Sequence, residues 1–341
     1  MSTFQFNLTH KCNLNCPFCY SYRNNDIMSN ETIDNAIEFV SHRINCESNQ
    51  NPQIISFSGG EVFLGNWQKI TYIIKKIKEQ CSEYNLTFII QSNLTTVDLS
   101  LPEFNELIET IDEFGTSFDV GKSRFNSDKT LNQFWKNIEY LVTINKPFEL
   151  ITCLTNDLIK MYPDPMIMFK GVINKGIKRF EIERLCRPLE ERPLLKSIKP
   201  INKKAKDWLV KAYIAYKEIQ KKYNIKVAMF ECLEDATKRI YHYEHGRNCQ
   251  RTIYTILPNG DVGQCFLNID KPFYNVNTKN LNIDNYEYIC QREENVNSNC
   301  LKCKYYKYCK GDCCAMEWDE SGCPTPNKIF DIIEERNKSN E

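Results

Sequence analysis

The sequence predicts an α/β fold: a partial (β/α)6 barrel followed by a small cysteine-rich domain. Three observations lead there. Short runs of β-branched and aromatic residues alternate with amphipathic stretches over roughly the first 200 residues. A long basic helix then changes the texture of the chain. Thiols gather near the two ends, where a metal would have to do what a core does elsewhere.

The strand-like runs are TFQFNLT (3–9), IISFS (54–58), LTFIIQS (86–92), GTSFDV (115–120), PFELITCLT (147–155) and RFEIERL (179–185). Helical stretches lie between them at 30–44, 66–84, 101–111 and 131–144, with a looser one near 157–176, and Ser29 or Asn30 is placed to cap the first. Repeated strand–helix units imply a parallel sheet with right-handed crossovers, either an open doubly wound sheet or a partial barrel, and the partial barrel is expected. The domain boundaries read from this are a barrel over 1–200, a helical linker over 201–245, a cysteine-rich domain over 246–323 and a closing helix and tail over 324–341. Within the third of these, TIYTILPNGDVGQCF reads as a hairpin turning at Asn259-Gly260, with little other helix or strand signal.

Composition excludes several classes. Lys+Arg and Asp+Glu both total 44 in 341 residues, so the chain lacks the basic excess that displaces counterions from nucleic acid. MSTFQFNLTH has neither the charged region nor the apolar core of a signal sequence, and no run approaches the ~18 apolar residues of a membrane span. A cytoplasmic protein with no membrane or nucleic-acid partner is expected. Seventeen cysteines, an odd number, cannot all pair within the chain, and in a reducing compartment they more often bind metal or do chemistry.

Ten of these cysteines form two blocks: Cys12, Cys16 and Cys19, then Cys249, Cys265, Cys300, Cys303, Cys309, Cys313 and Cys323. A cubane commonly takes four thiolates, so three from one loop leave an iron open to a ligand. The loop CNLNCPFC, with Phe18 in the aromatic slot, resembles the C-x3-C-x-aromatic-C signature of the radical S-adenosylmethionine enzymes. The resemblance implies a TIM-like partial barrel. It also implies that Cys12, Cys16 and Cys19 hold a [4Fe-4S] cluster whose open iron takes S-adenosylmethionine. One electron then cleaves the sulfonium to a 5'-deoxyadenosyl radical that abstracts a substrate hydrogen. A zinc knuckle with His10 as fourth ligand is the alternative.

Further along, Gly59, Gly60 and Glu61 in FSGGE match the family motif that contacts the cofactor's amino group. Ser92, Asn93, Ser117 and Asp119, at the ends of strands three and four, are by resemblance contacts to its ribose or methionine part. Thr155, Asn156, Glu183 and Arg184 end strands five and six, and Arg184 joins the expected cofactor contacts. As proton acceptors, Glu181 and Asp270 are the candidates, with Glu183 beside them.

The tail reads C-x10-G-x4-C from Cys249 through Gly260 to Cys265, then C-x2-C-x5-C-x3-C from Cys300 to Cys313, then Cys323. It resembles the SPASM extension, which implies two auxiliary [4Fe-4S] clusters and three clusters in all. By that resemblance Cys300, Cys303, Cys309 and Cys323 close the outer cluster, and Cys313 crosses to join Cys249 and Cys265 on the inner one. Where known members have a further cysteine this chain has Thr255, so the inner cluster either has an open iron or recruits Cys232, Cys290 or Cys314. Two zinc sites are the alternative.

SPASM enzymes mostly modify peptides or proteins. The expected reaction is an oxidative crosslink, thioether or carbon–carbon, in a ribosomally synthesised peptide, in an anaerobic host. Formylglycine formation is an alternative, although Phe266 stands where that branch has its acidic base; peptide epimerisation is another, and a multicluster electron carrier is the non-enzyme reading. The expected partners are a peptide or protein substrate and a flavodoxin- or ferredoxin-type electron donor; since only eleven residues precede Cys12, either a separate leader-binding protein presents the peptide or the barrel mouth binds it directly.

Overall fold

Along β1 (Thr3–Thr9) side chains alternate: Phe4, Phe6 and Leu8 are fully buried, while Gln5, Asn7 and Thr9 line the other face. That alternation organises the first of two compact units into which the described residues fall. The first comprises Met1–Ser117, Phe125–Phe148 and Cys249–Cys290, and the second Phe118–Arg124, Glu149–Asn248 and Gln291–Glu341. The computed structural model describes every residue except 1, 22–23, 47–50, 121–123, 126, 187–196, 239–251, 266–269 and 340–341. Cys249 and Phe266 therefore lie outside the described residues.

In the first unit β1 pairs in parallel with β2 (Gln53–Gly59), β2 with β3 (Leu86–Gln91) and β3 with β4 (Glu113–Ser117). On its other side β1 pairs in parallel with β8 (Ile253–Ile256), which turns at Gly260 (φ +87°) into antiparallel β9 (Asp261–Gly263), followed by β10 (Tyr274–Asn275). The predicted hairpin is thus present, and it extends the parallel sheet. One face of this sheet carries Phe4, Phe6, Ile55, Phe57, Phe88, Ile90 and Phe114, all fully buried. Burial of each such side chain stabilises by roughly 1.5–3 kcal/mol.

Helices α1 (Asn30–Cys46) and α2 (Ile70–Gln80) cover that apolar face: Phe39 meets the Tyr254 ring edge-on at 6.1 Å, and Lys78 lies 5.1 Å from the Phe88 centroid. Ser29 caps α1, accepting from Thr32 N at 3.0 Å. The expected helix at 66–84 divides into a 3₁₀ turn, Trp67–Lys69, and α2; that at 101–111 divides into Pro102–Phe104 and α3 (Asn105–Thr110). The fourth helix, α4 (Asp128–Thr143), is capped by Ser127.

The opposite face of the sheet is hydrophilic. Gln5 Nε2 donates to Ser58 Oγ (2.7 Å), Ser58 Oγ donates to Asn7 Oδ1 (2.7 Å), and Thr255 Oγ1 donates to Gln5 Oε1 (3.1 Å). Parallel strands buried on both faces are usually apolar on both, so this face is not built to receive a helix.

In the second unit β5 (Phe148–Leu154), β6 (Arg179–Arg184) and β7 (Lys226–Val227) run parallel. Prolines split the stretch at 157–176 into α5 (Asn156–Met161), capped by Thr155, and α6 (Pro165–Asn174), capped by Asp164 with Pro165 at its first position. The basic helix α7 (Asn202–Tyr223) ends in left-handed Asn224 and packs against α6. Tyr213 and Tyr216 meet Phe230 of α8 (Ala228–Thr237).

The chain passes through α9 (Ile283–Glu294), a helix the sequence did not signal, into short turns α10 (Ser298–Leu301) and α11 (Tyr306–Cys309). It closes with α12 (Lys328–Ser339), as expected. Among the described residues no helix is long and apolar enough to cross a membrane.

Candidate active site and cysteine clusters

The loop that follows β1 carries Cys12, Cys16 and Cys19, and the end of β2 holds it in place. Gly60 N donates to Thr9 O (2.8 Å) and Glu61 N to Lys11 O (2.7 Å). A Cβ on Gly60 would sit 2.3 Å from Lys11 O, and one on Gly59 (φ +146°) 2.1 Å from Thr9 O. The close approach that these glycines permit is therefore to the backbone leading into the cysteine loop.

Glu61 is buried, and its carboxylate accepts from Ser92 Oγ (2.7 Å), Asn93 N (2.7 Å) and Phe63 N (3.2 Å). Asn93 continues the network. Its Nδ2 donates to Asn13 Oδ1 (2.9 Å) and lies 3.9 Å from Cys12 Sγ, while its Oδ1 accepts from Thr95 Oγ1 (2.6 Å); Asn13 Nδ2 in turn donates to Thr95 Oγ1 (2.8 Å). Five of the predicted site residues, Cys12, Gly60, Glu61, Ser92 and Asn93, thus form one connected group. Asn13 and Thr95 belong to it too, and only the position of Asn13 between two cysteines signalled that. Phe18 and Cys16 are buried, and Cys12 and Cys19 half-buried.

Ser117 is the last residue of β4, half-buried. Asp119 lies in the second unit, buried, with Arg124 Nε at 2.6 Å and Cys153 N donating to it at 2.7 Å. Across the β5–β6 pairing Cys153 faces Glu183, and Ile151 faces Glu181. Burial, reinforced by the neighbouring Glu183, pushes the Glu181 carboxyl up to about 8, although Met229 N donates to it at 2.6 Å. Burial, with help from Asp119, raises the Cys153 thiol well above its ordinary range. Asp270 is an exposed turn residue of the first unit.

Arg184, at the end of β6, directs its guanidinium to Asp312, with Nη1 to Oδ2 at 2.6 Å and Nη2 to Oδ1 at 2.9 Å. Burial works against its charge, but Asp312 outweighs that and leaves the pKa raised. Asp312 also accepts from Cys313 N (2.7 Å) and Thr325 Oγ1 (2.8 Å). The tail cysteines Cys265, Cys300 and Cys309 are buried, and Cys303, Cys313 and Cys323 half-buried. Thr255 is fully buried.

The donor set fits iron–sulfur ligation. Leu14 N points at Cys12 Sγ (3.4 Å), Ala315 N at Cys313 Sγ (3.4 Å) and Thr325 N at Cys323 Sγ (3.3 Å), each two residues on, which stabilises a thiolate. Burial pushes the Cys309 thiol up to about 11, so its deprotonation calls for a metal. Among the described residues no three His, Cys, Asp or Glu side chains converge as ligands of a single ion must; a cubane asks for no such convergence, since each thiolate binds its own iron.

Residues 4–134 match the model of the 4Fe-4S single cluster domain family. The structure of native anSMEcpe with bound AdoMet and Cp18Cys peptide superposes with a TM-score of 0.79 at 19% identity, covering 99% of this chain and 98% of that one. The chain has the fold of a radical S-adenosylmethionine enzyme. The match spans the partial barrel and the cysteine-rich C-terminal region together, as the sequence predicted. Streptococcus suis SuiB bound to precursor peptide SuiA shares this radical S-adenosylmethionine fold with a TM-score of 0.63 at 16% identity, over 95% of this chain and 76% of that one. An uncharacterised protein of Methanocaldococcus jannaschii is 29% identical over 205 residues, 58% of this chain and 67% of its own length.

Proposed function

We propose that this radical S-adenosylmethionine enzyme modifies a peptide, and that its product is an intramolecular crosslink, thioether or carbon–carbon, in a ribosomally synthesised substrate. When bound, the cluster and S-adenosylmethionine would supply reductive cleavage to methionine and a 5'-deoxyadenosyl radical that takes a substrate hydrogen. The observation that carries the reading is the hydrogen-bonded chain from Glu61 through Ser92 and Asn93 to Asn13 and the Cys12 sulfur. It ties the strand ends expected to touch the cofactor to the loop expected to hold the cluster. Glu61 and Asn93 would fix that loop, Ser117 would contact the cofactor, and the hydrophilic face with Gln5, Asn7 and Ser58 offers amide and hydroxyl groups suited to a peptide.

The peptides bound to anSMEcpe and SuiB support a peptide substrate. The inner auxiliary cluster would take Cys249, Cys265 and Cys313. Thr255 spends its hydroxyl on Gln5, which supports three protein ligands there and an iron open to a substrate thiolate. The outer cluster would take Cys300, Cys303, Cys309 and Cys323. If a proton is removed at carbon or sulfur, Glu181 is the better acceptor, since its value near 8 lies close to operating pH.

Anaerobic reconstitution tests the reading. Reduced protein with S-adenosylmethionine should form 5'-deoxyadenosine, and a candidate peptide should lose two hydrogens; formation of none by fully clustered protein overturns it. Unchanged peptide mass with solvent deuterium incorporated would give epimerisation instead, and conversion of Cys or Ser to an aldehyde would give formylglycine formation.

A further inference from the structure

The second unit carries a cleft of ≈ 510 Å³ between α7, α8 and α12 that the proposed chemistry does not use. Four cations line it, Lys217, Lys221, Lys238 and Arg336, against one carboxylate, Glu234. That carboxylate is already engaged by Lys217 (2.8 Å) and by the Tyr213 hydroxyl (2.9 Å), and Lys238 leans on Asp235 at 3.3 Å. Lys221 and Arg336 are exposed and have no carboxylate within ion-pair distance among the described residues. A cleft with unmatched positive charge favours an acidic partner and speeds its encounter.

Its neighbourhood narrows the partner. The helix that brings Arg336 to the cleft, α12, is also the one whose Asp331 and Glu334 accept the hydroxyls of Tyr305 and Tyr308. Phe330 packs on both rings, at 6.0 and 5.2 Å. Those tyrosines lie within the Cys303–Cys309 segment, the middle of the proposed outer cluster's ligand set. The cationic cleft and that cysteine segment therefore share a wall.

We propose that this cleft docks an acidic, low-potential one-electron carrier of the flavodoxin type. The inference rests on the radical reading above, because each S-adenosylmethionine cleaved consumes one electron. In the step assigned to the cleft, a reduced flavin loses one electron and the outer cluster gains it, with no bond formed or broken.

The test uses the reconstituted holoenzyme and a fully reduced acidic flavodoxin. Binding is read by calorimetric titration, and 5'-deoxyadenosine formation is compared with flavodoxin or dithionite as reductant. Combining Lys221→Glu with Arg336→Glu should weaken flavodoxin binding and slow the flavodoxin-driven rate at least 10-fold at low salt, leaving the dithionite-driven rate unchanged. Wild-type binding should weaken as salt rises.

Unaltered binding and rate in the reversed variant overturn the proposal. So does an equal fall with both reductants at an unchanged melting temperature, and so does a raised peptide KM with flavodoxin binding intact, which would make the cleft a site for acidic peptide. Should the double variant fail to fold, Lys221→Gln and Arg336→Gln singly should each weaken binding about 3-fold with a shallower salt dependence, and no change in either overturns the proposal. If dithionite yields no 5'-deoxyadenosine in wild type, the radical reading fails, while the titration still decides the docking.

Discussion

The paired bonds between Arg184 and Asp312 join the last residue of β6 to the turn between two tail cysteines. That turn is unusual: Lys310, Gly311 and Asp312 follow one another at φ 50°, 91° and 61°. Two non-glycine residues in the left-handed region cost free energy and persist only where the surroundings enforce them. Asp312 supplies the enforcement, since one carboxylate binds Arg184, Cys313 N and Thr325 Oγ1 together.

Removing one partner of this pair should therefore be expensive. Arg184→Met strands a nearly buried carboxylate, and a loss of about 3–5 kcal/mol is expected. Asp312→Asn keeps two acceptor or donor contacts and should cost less. Urea unfolding of the reconstituted protein, with iron analysis, reads both; iron should be lost from the tail clusters, with dithionite-driven 5'-deoxyadenosine formation at the N-terminal loop less affected and flavodoxin-driven formation falling with the tail iron.

Gly60→Ala should damage the cysteine loop although alanine is small. Its Cβ would fall 2.3 Å from Lys11 O and 2.6 Å from His10 O, both backbone atoms that no rotamer change can move aside. Displacing them shifts the chain that enters Cys12, so the variant should fold yet bind less iron and cleave S-adenosylmethionine at least 10-fold more slowly. Rates and iron equal to wild type would show that the loop tolerates the shift.

Much of this was legible in the sequence, and what was not has physical causes. The six parallel strands and the cysteine loop announced themselves because alternation and thiol spacing are local signals. Strand β8 reads locally as half of a hairpin, but its parallel pairing with β1 is invisible there, since residues some 250 apart decide it. Arg184 reads as a cofactor contact from its place at a strand end; its engagement with Asp312 depends on a tail 128 residues away. Helix α9 carries no clear sequence signal because its stretch holds three Glu together with Asp, Asn, Gln and Arg, which leaves little periodic apolar pattern. Asp312, wedged between ligand cysteines, was the missed residue with the plainest clue.

Glu181 gives a pH signature. Its folded-state value, about 8, lies above the ordinary 4.5, so the native state holds a proton that the unfolded chain releases. The stability this contributes is complete below about pH 4.5 and is lost progressively as pH rises through 8. Glu181→Gln keeps an oxygen for Met229 N and removes the titration. The stability of this variant relative to wild type should rise from pH 6 to pH 9, read as the difference in urea midpoints; a constant difference would place the Glu181 titration elsewhere.

The last prediction concerns how the closing helix holds the cysteine tail. Lys304 and Lys307 pair with Asp331 and Glu334 from exposed positions, where solvent screening leaves such pairs little effect on stability. Phe330 is fully buried between Tyr305 and Tyr308, so the apolar contact dominates the ion pairs. Phe330→Ala should cost about 3–5 kcal/mol, whereas Lys304→Gln and Lys307→Gln together should leave the urea midpoint almost unchanged. Because the two rings flank the ligand segment, only the phenylalanine variant should lose cluster iron on mild heating, and equal retention in both would mean that the cysteines hold the segment without the helix.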